Sequence, residues 1–346
     1  MNWLSNSIEN RRAMLQQAAE AENLPEYAIE KDWWVTMVIK ALFQSECAGY
    51  LLFKGGTSLS KGWQLIQRFS EDIDLAINYQ YFKESIENNN QLKTLRKQCR
   101  KYIIDTLVED IDSRMKSIGL FDYRIYPVTE QDGIAISTDS DPTEIMIEYS
   151  PIVEEQSGYL RPTVKVEISC LSMKEPFEEK VITTIIGKHF PDADRDSTAV
   201  IPTVLPSRTF LEKAFLLCEE FQKEKPRSLR MSRHLYDLEK LMDTEFGRQA
   251  LADSALYRAI VEHRRKFYHV SYADYDKDYP DKIEFYPPVK CIKDWENDYA
   301  ALQESFIYGN NISFGQLLLR IEELQQRFRS IGTMSRQKIF AKYSTQ

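Results

Sequence analysis

The sequence predicts an α+β fold, with a mixed-sheet domain and flanking helices over residues 1–200 and a mainly helical domain over residues 201–346. Two observations carry this prediction. Residues 119–186 contain short runs rich in β-branched and aromatic residues, separated by Pro, Gly, Asp and Ser as strands are. After the Pro-, Asp- and Ser-rich stretch at 187–207, apolar residues recur at helical spacing.

The elements follow in a definite order. Residues 7–43 are predicted to be helical, 50–53 to form a short buried strand, and 57–69 to form a helix after two glycines. The run DIDLAI at 72–77 alternates as a strand does, and the charged pattern from 84 to 118 is helical. The stretch at 187–207 is predicted to be the loop between the two domains.

The composition narrows the class of protein. The chain has 346 residues, 43% hydrophobic and 28% charged, which is typical of a globular protein with a large core. No apolar run approaches the ~20 residues of a membrane helix, and the N-terminus lacks the layout of a signal peptide. The five cysteines show no paired spacing typical of zinc sites or disulfide frameworks. We therefore expect a cytoplasmic protein.

Charge is distributed unevenly. The net charge of −8 argues against non-specific nucleic-acid binding by the whole surface. Residues 208–266 nevertheless carry 13 Lys and Arg against 10 Asp and Glu. This local basic excess suits binding of an RNA or a nucleotide, and chance fluctuation explains it equally well.

Two glycines at the predicted strand-to-helix turn, Gly55 and Gly56, raise the possibility of phosphate binding. Glycines let the backbone approach a ligand, and a helix N-terminus directs N–H groups and a positive dipole end toward it. Thr57 and Ser58 add hydroxyl groups beside the turn. This is not a P-loop, because GxxxxGK[ST] is absent. The signal is weak by itself, since an ordinary tight turn has the same pattern.

Asp72 and Asp74 strengthen this interpretation. Their spacing of two places both carboxylates on one face of a strand, where they repel each other unless a cation lies between them. Mg²⁺ prefers one or two carboxylates together with phosphate oxygens. Taken by itself, the pair is also explained by an exposed edge strand, which often carries charged residues. With a phosphate-binding turn one helix upstream, the two halves predict a single Mg²⁺–triphosphate site.

Residues 55–77 resemble the first motif of the AbiEii/AbiGii (MenT-like) nucleotidyltransferase toxins, a branch of the DNA polymerase β-type nucleotidyltransferase superfamily. That motif reads GG-T/S-x-L followed by R-x-S-x-D-x-D and a hydrophobic residue. This chain matches it at Gly55, Gly56, Thr57, Leu59, Arg68, Ser70, Asp72, Asp74 and Leu75. The run EKDWWV at 30–35 resembles the family's N-terminal helix. The acidic Glu71 departs from the motif and is expected to point to the opposite strand face or to lie at the start of the strand.

The resemblance implies a third acidic residue on a neighbouring strand. Glu167 in VKVEIS alternates away from Val164 and Val166, and it is the preferred candidate because its context resembles the family's second motif. Glu148 in EIMIEYS is the alternative. Alternatively, either glutamate is simply a solvent-facing residue of a strand without a role in the site.

Two helical segments resemble the third and fourth motifs of the family. In SRTFLEKAFLLCEEF, Lys213 borders an apolar stripe, and the resemblance implies that it binds triphosphate oxygens and offsets charge on the leaving pyrophosphate. In RMSRHLYDLEKL, we expect Arg230, His234 and Asp237 to share one helix face. Asp237 would orient Lys213, hold a base or ribose hydroxyl, or accept a structural ion pair. Three arginines suit contact with an RNA backbone: Arg227, Arg230 and Arg233.

The resemblance implies an NTP-dependent nucleotidyltransferase that uses Mg²⁺ and releases pyrophosphate, with the helical domain completing the cleft. Asp72, Asp74 and Glu167 would be metal ligands. The phosphates would be bound by Gly55, Gly56, Thr57, Ser58, Arg68 and Lys213. The implied acceptor is RNA, in the first place a tRNA 3′ end, and the implied setting is a toxin–antitoxin or phage-defence system with a cognate antitoxin.

Two alternatives stand beside this interpretation: a catalytically idle nucleotide- or RNA-binding protein, and a small-molecule nucleotidyltransferase of the antibiotic-modifying kind. A smaller hypothesis concerns Ser70, two residues before Asp72. Phosphorylation there would add about two negative charges beside the predicted metal site and would shut it off.

Overall fold

The structure, a computed structural model, describes residues 2–83, 85–153, 161–171, 176–268 and 270–343, with side chains described through residue 331. The described residues form two compact units. The first contains residues from 1–64 and 69–204, and the second contains residues from 65–68 and 205–346. The first unit contains a mixed β-sheet with flanking helices, and the second is helical.

The first unit begins with a 3₁₀ turn, Trp3–Ser5, and two helices, α1 (Ile8–Glu22) and α2 (Glu26–Leu42). The single helical region predicted over 7–43 is therefore divided. Asn23 takes a left-handed conformation with φ of 52° and ends α1, and Pro25 precedes α2. The first-turn N–H of α1 is satisfied by the Ser7 hydroxyl, which accepts from the Asn10 N–H.

A seven-stranded mixed sheet forms the centre of this unit, in the order β3-β6-β7-β2-β1-β9-β8. The β2–β7 and β1–β9 pairs are parallel and the others are antiparallel. The strands are β1 (Leu51–Lys54), β2 (Ile73–Ile77), β3 (Tyr123–Pro127), β6 (Thr143–Tyr149), β7 (Thr163–Ser169), β8 (Phe177–Ile182) and β9 (Ala199–Val204), and a separate hairpin pairs β4 (Glu130–Gln131) with β5 (Ile134–Ala135). The predicted α+β class with a mixed sheet is confirmed.

The two faces of the sheet differ. Alternate residues of β2, β6 and β7, such as Ile73, Ile145 and Val166, are fully buried in the core. Helix α2 packs on β7, and its Trp34 stacks on Tyr149 of β6 with ring centroids 4.8 Å apart. Apart from Met146 and the buried Ala76, the intervening residues of the same strands are polar and only partly buried. The candidate site lies on this polar face.

The helix predicted over 57–69 is much shorter in the structure. A single turn, α3 (Gly55–Thr57), continues as a π-helical turn over Ser58–Gly62 and ends there. Gln64 follows in a left-handed conformation with φ of 54°, and the Trp63 indole N–H donates to the carbonyl oxygen of Val204 at 3.0 Å. These contacts turn the chain away from the helical path that the apolar spacing predicted.

Residues 84–118 were predicted as one charged helical region. In the structure α4 (Asn89–Tyr102) passes through a π-helical turn at Ile103–Leu107 into α5 (Val108–Ser117). Short 3₁₀ turns lie at Ala48–Tyr50 and Tyr79–Tyr81.

The loop predicted over 187–207 contains regular structure. Helix α6 (Ile185–His189) begins behind Thr184, whose hydroxyl accepts from the Gly187 N–H at 2.7 Å. Strand β9 then pairs with β8 along its length and with β1 only at Phe53 and Thr203. Pro202 lies opposite Glu179 of β8, although a proline normally argues against an internal strand.

The second unit is helical. Its helices are α7 (Pro206–Glu220), α8 (Ser232–Met242), α9 (Glu245–Ala252), α10 (Ser254–Phe267), α11 (Ile292–Ser305) and α12 (Phe314–Tyr343), with 3₁₀ turns at Tyr275–Asp278 and Val289–Cys291. Helices α7, α8, α9 and α12 pack against one another. Among the helices of the described residues, none is both long and apolar enough to cross a membrane.

Candidate active site

Four carboxylates lie on the polar face of the sheet, and we refer to them as the acidic cluster: Asp72, Asp74, Glu144 and Glu167. Asp72 immediately precedes β2 and Asp74 lies within it. In the strand register, Glu167 of β7 lies directly beside Asp74 on one side and Glu144 of β6 on the other. Three adjacent strands therefore bring four acidic side chains together.

The glycine turn and Asp74 are in direct contact. Gly55 has φ of +76°, a conformation that side chains with a β-carbon rarely adopt. A β-carbon added at Gly55 would lie 1.9 Å from Oδ2 of Asp74, so the carboxylate occupies the space that any other residue would need. The structure thus brings the predicted phosphate-binding turn against a predicted metal carboxylate.

The hydroxyl groups beside the turn have internal partners. Thr57 and Ser58 are fully buried. Thr57 donates to the carbonyl oxygen of Asp72 and lies 3.0 Å from Oγ of Ser70, and Ser58 donates to the carbonyl oxygen of Gly55 at 2.9 Å. Thr57 therefore holds the turn to the segment before β2, and Ser58 closes the turn on itself, so a ligand at this turn would meet backbone.

Lys165 of β7 supplies positive charge to the acidic cluster. Its ammonium forms an ion pair with Glu167 and lies 3.9 Å from Oδ1 of Asp72. Burial acts to lower the pKa of Lys165, but the charges of Asp72 and Glu167 outweigh it and raise that pKa. Burial raises the pKa of Glu144, an effect that Lys165 opposes and that the charges of Glu167 and Asp72 reinforce.

The register separates the two candidates for the third acid. Glu148 lies opposite Arg124 on one side and Thr163 on the other, and it accepts a hydrogen bond of 2.5 Å from the Tyr126 hydroxyl. Glu167 is the candidate that lies beside Asp74. The geometry favours Glu167 over Glu148.

The chemistry of the donors fits a divalent cation held by two carboxylates. Asp72 and Asp74 meet the preference of Mg²⁺ for one or two carboxylates completed by substrate oxygens, and Gly55 leaves backbone close to Asp74. Throughout the described chain, no three or more His, Cys, Asp or Glu side chains gather closely enough to hold a metal by themselves. Glu167 is engaged with Lys165.

The second unit contains a buried charged cluster of its own, made of Arg68, Lys213 and Asp237. Nε and Nη2 of Arg68 donate to the two carboxylate oxygens of Asp237, each at 2.7 Å, and Nζ of Lys213 lies 2.8 Å from Oδ2. Asp237 is completely buried, yet the two cations hold its pKa below the ordinary value. Burial lowers the pKa of Lys213, an effect that Asp237 opposes. Asp237 therefore contacts both cations.

His234 lies beside this cluster, and Arg230 does not. Nδ1 of His234 is 3.5 Å from Nζ of Lys213, and burial together with the Lys213 charge lowers the pKa of His234 well below its usual value. Helix α8 begins at Ser232, whereas Arg230 precedes it with φ of +59°. The expectation that Arg230 shares a helix face with His234 and Asp237 is therefore wrong.

The arginines considered for RNA contact lie at the entry to α8. Nη2 of Arg227 is 3.2 Å from Sδ of Met231, and the backbone N–H of Arg230 donates to Asp298 at 2.5 Å. Arg233 lies in the first turn of the helix and is half-buried. Their contact with RNA stays a prediction.

Helix α2 fixes both ends of the segment between Gly55 and Asp74. Lys31 forms a buried ion pair with Glu71, and Asp32 accepts from Lys61. Burial lowers the pKa of Lys61, an effect that Asp32 opposes. Glu71 lies just before the start of β2, one of the two positions expected for it, and the EKDWWV run supplies both partners, Lys31 and Asp32.

Sequence reasoning assigned no role to Glu144 or Lys165. The alternation of EIMIEYS and VKVEIS already places Glu144 with Glu148 and Lys165 with Glu167 on polar strand faces. Only the register between the two strands shows that Glu144 lies opposite Glu167. That register depends on the tertiary fold.

The mixed sheet, the glycine turn and the paired aspartates are consistent with a nucleotidyltransferase. The family described as "Nucleotidyl transferase AbiEii toxin, Type IV TA system" matches residues 38–327, and the chain belongs to this family of toxin nucleotidyltransferases. Such a system implies a nucleotide substrate and an antitoxin partner. Nucleotidyltransferases of this kind generally use a divalent metal.

Among solved structures, MenT4, a nucleotidyltransferase toxin from Mycobacterium tuberculosis H37Rv, is similar to this chain at 16% sequence identity. The superposition covers 93% of this chain and 89% of that chain, with a TM-score of 0.49. A comparison with curated proteins finds no significant match.

Proposed function

We propose that this protein transfers a nucleoside monophosphate from an NTP to an RNA acceptor, the 3′ end of tRNA, and thereby blocks translation. Membership of the AbiEii family supports the transferase chemistry. The observation that carries the proposal is the contact between Gly55 and the Asp74 carboxylate, because it joins a backbone suited to phosphate with a ligand suited to a metal.

In this proposal Asp72 and Asp74 hold Mg²⁺, and Glu167 contributes from the neighbouring strand. The bound metal would polarise the α-phosphate and lower the pKa of the attacking hydroxyl. The backbone of Gly55 and Gly56 would bind the β- and γ-phosphates. Thr57 and Ser58 would keep that turn in place through their buried hydroxyl groups.

For the second unit we propose that Lys213 and Arg68 bind triphosphate oxygens. Two cations share the single carboxylate of Asp237, so the cluster retains one positive charge with which to attract an anion. Asp237 would keep both cations oriented, which lowers the cost of ordering them when the nucleotide binds. The arginines at 227–233 would contact the RNA backbone, and binding would then weaken as salt increases.

The test is transfer of label from each of the four α-³²P-labelled NTPs to total RNA in the presence of Mg²⁺. We expect one or more nucleotides to label RNA of tRNA size, and EDTA to abolish the labelling. Asp72→Ala and Asp74→Ala should each lower the rate by at least about 100-fold, since each removes a metal ligand. Asp192→Ala is the matched control, because Asp192 is a surface aspartate with a side chain 93% exposed.

Full transfer by both aspartate variants would contradict the assignment of the site. Labelling of small molecules in a cell extract, with RNA unlabelled, would favour the antibiotic-modifying alternative. Labelling of RNA other than tRNA would support nucleotidyl transfer to RNA but would contradict tRNA as the acceptor.

Ser70 is a candidate regulatory residue of the same site. Its Oγ lies 3.0 Å from the Thr57 hydroxyl, which also holds the Asp72 carbonyl. We predict that Ser70→Glu lowers transfer by at least about tenfold, because added negative charge weakens binding of an anionic nucleotide, while Ser70→Ala retains most of it. Undiminished activity of the Ser70→Glu protein would rule the idea out.

A further inference from the structure

Lys165 lies among the carboxylates of the acidic cluster, where a positive charge is unexpected in a site proposed to bind a metal cation. Its side chain is 29% exposed on the polar face of β7, paired with Glu167 and 3.9 Å from Asp72. Neither the family match nor the sequence motif gives it a function. The question is why a lysine lies among carboxylates that are proposed to hold a cation.

The electrostatics of the acidic cluster supply a reason. Glu144 and Glu167 lie directly opposite each other on β6 and β7, an arrangement that destabilises a sheet when both are charged. Asp74 lies next to Glu167 on the other side. Without a cation these carboxylates repel one another.

Two other cations lie near the cluster. Lys54 lies across from Asp74 on β1, and Nη2 of Arg100, close enough to act on Glu144, donates to the carbonyl oxygen of Val128 at 3.0 Å. Lys165 contacts Glu167 directly and extends toward Asp72. It therefore links a proposed ligand on β2 with one on β7.

We propose that Lys165 is a built-in counter-cation of the acidic cluster and that it competes with the divalent metal for the carboxylates. This inference rests on the proposed role of Asp72 and Asp74 as metal ligands. A lysine suits the task because its ammonium is a compact charge on a flexible stem, which can leave when a metal arrives. Metal affinity is thereby kept low until a nucleotide adds its own phosphate oxygens.

The experiment measures binding of Mg²⁺, and of Mn²⁺ in parallel, by calorimetry without nucleotide. We expect Lys165→Met to bind the metal about tenfold more tightly than the unaltered protein, since removing one positive charge a few ångströms away is worth about that much in a partly exposed site. Lys165→Arg, which keeps the charge, should remain within about twofold. Lys180→Met is the matched control, because Lys180 forms the same kind of pair with Glu178 at 2.8 Å in the same sheet and is 24% exposed.

Thermal unfolding gives a second readout. In EDTA the Lys165→Met protein should melt at a lower temperature than the unaltered protein, because the acids lose their counter-charge. Its melting temperature should then rise more on addition of Mg²⁺, since a ligand bound more tightly stabilises the native state more. If Lys165→Met does not fold, Lys165→Gln provides the same charge change with a polar side chain.

Equal or weaker metal binding by the Lys165→Met protein would overturn the inference, because a competitor must raise affinity when it is removed. Asp72→Asn separates this failure from failure of the proposed function. If Asp72→Asn abolishes metal binding and Lys165→Met leaves it unchanged, only the role of Lys165 is wrong. If Asp72→Asn leaves metal binding unchanged, the proposed metal site is itself wrong, and the inference fails with it.

Discussion

A single missing β-carbon determines the geometry at the centre of the candidate site. Gly55 adopts a left-handed conformation, and the Asp74 carboxylate fills the volume beside its Cα. Sequence patterns showed glycine and aspartate as separate signals, each with an ordinary explanation. The contact explains both signals, because the Asp74 carboxylate can occupy this position only if residue 55 has no β-carbon.

We predict that Gly55→Ala lowers nucleotide transfer by at least about 100-fold while the protein remains folded. The new methyl group would displace the Asp74 carboxylate by an ångström or more, and a displacement of that size at a reacting centre typically costs two orders of magnitude. The measurement is the labelled-NTP assay together with circular dichroism.

Gly133→Ala is the control for backbone strain. Gly133 has nearly the same φ, +75°, and a β-carbon there meets nothing within 4 Å. Both variants should lose about 1 kcal/mol of stability from the left-handed conformation. If both keep full transfer, the position of Asp74 does not matter to the reaction as we propose.

At the scale of elements, the entry to α8 depends on a partner from another helix. Asp298 of α11 accepts from the N–H groups of Arg230 and Ser232 and from the Ser232 hydroxyl. Met231, at the N-cap position, provides no side-chain capping hydrogen bond. A carboxylate from α11 therefore performs the capping that α8 lacks locally, and α8 carries Asp237.

We predict that Asp298→Ala destabilises the protein by about 1–3 kcal/mol, because two N–H groups and a hydroxyl lose a charged acceptor. Urea unfolding followed by circular dichroism measures the change. Asn297→Ala alters the exposed neighbouring residue on the same helix and should change stability by less than about 0.5 kcal/mol. Equal effects of the two substitutions would contradict a capping role for Asp298.

Strand register explains which parts of the candidate site could be predicted. Alternation along β2, β6 and β7 showed which residues share a face, since the period of a strand is two. It could not show that Glu167 lies beside Asp74 whereas Glu148 lies opposite Thr163, because register is set by pairing between distant segments. Strand β9 escaped prediction because Pro202 interrupts its pattern.

At the scale of the whole molecule, stability depends on a buried acid in the second unit. Asp278 is completely buried, and Nε of Arg264 is 3.8 Å from its Oδ2, while Arg264 donates both of its short hydrogen bonds to Glu219. The neighbours that act on its carboxyl group also include the Cys218 thiol. Burial, reinforced by the charge of Glu219, raises the pKa of Asp278 to about 8.

This raised pKa makes stability dependent on pH in a defined direction. Below the ordinary pKa of 3.8, Asp278 is protonated in both states and has no effect. As pH rises toward about 8, the unfolded chain loses a proton that the folded protein retains, so stability falls by roughly 1.4 kcal/mol per pH unit. Above about pH 8 the loss is complete.

We predict that Asp278→Asn is more stable than the unaltered protein at pH 8 and that this advantage shrinks at pH 5. Urea unfolding at the two pH values measures the difference. Asp276→Asn is the control, because Asp276 lies on the same 3₁₀ turn with its side chain 47% exposed. An advantage of the same size at both pH values would contradict a raised pKa for Asp278.

The sequence by itself determined the α+β class, the family resemblance and the residues that carry it, because local periodicity and short motifs are properties of neighbouring residues. The tertiary structure decided what those residues touch. It paired Arg68 and Lys213 with Asp237, placed Lys165 among the acids, and gave Thr57 and Ser58 internal partners. Such contacts join segments that are far apart in the chain, and only packing and strand register bring them together.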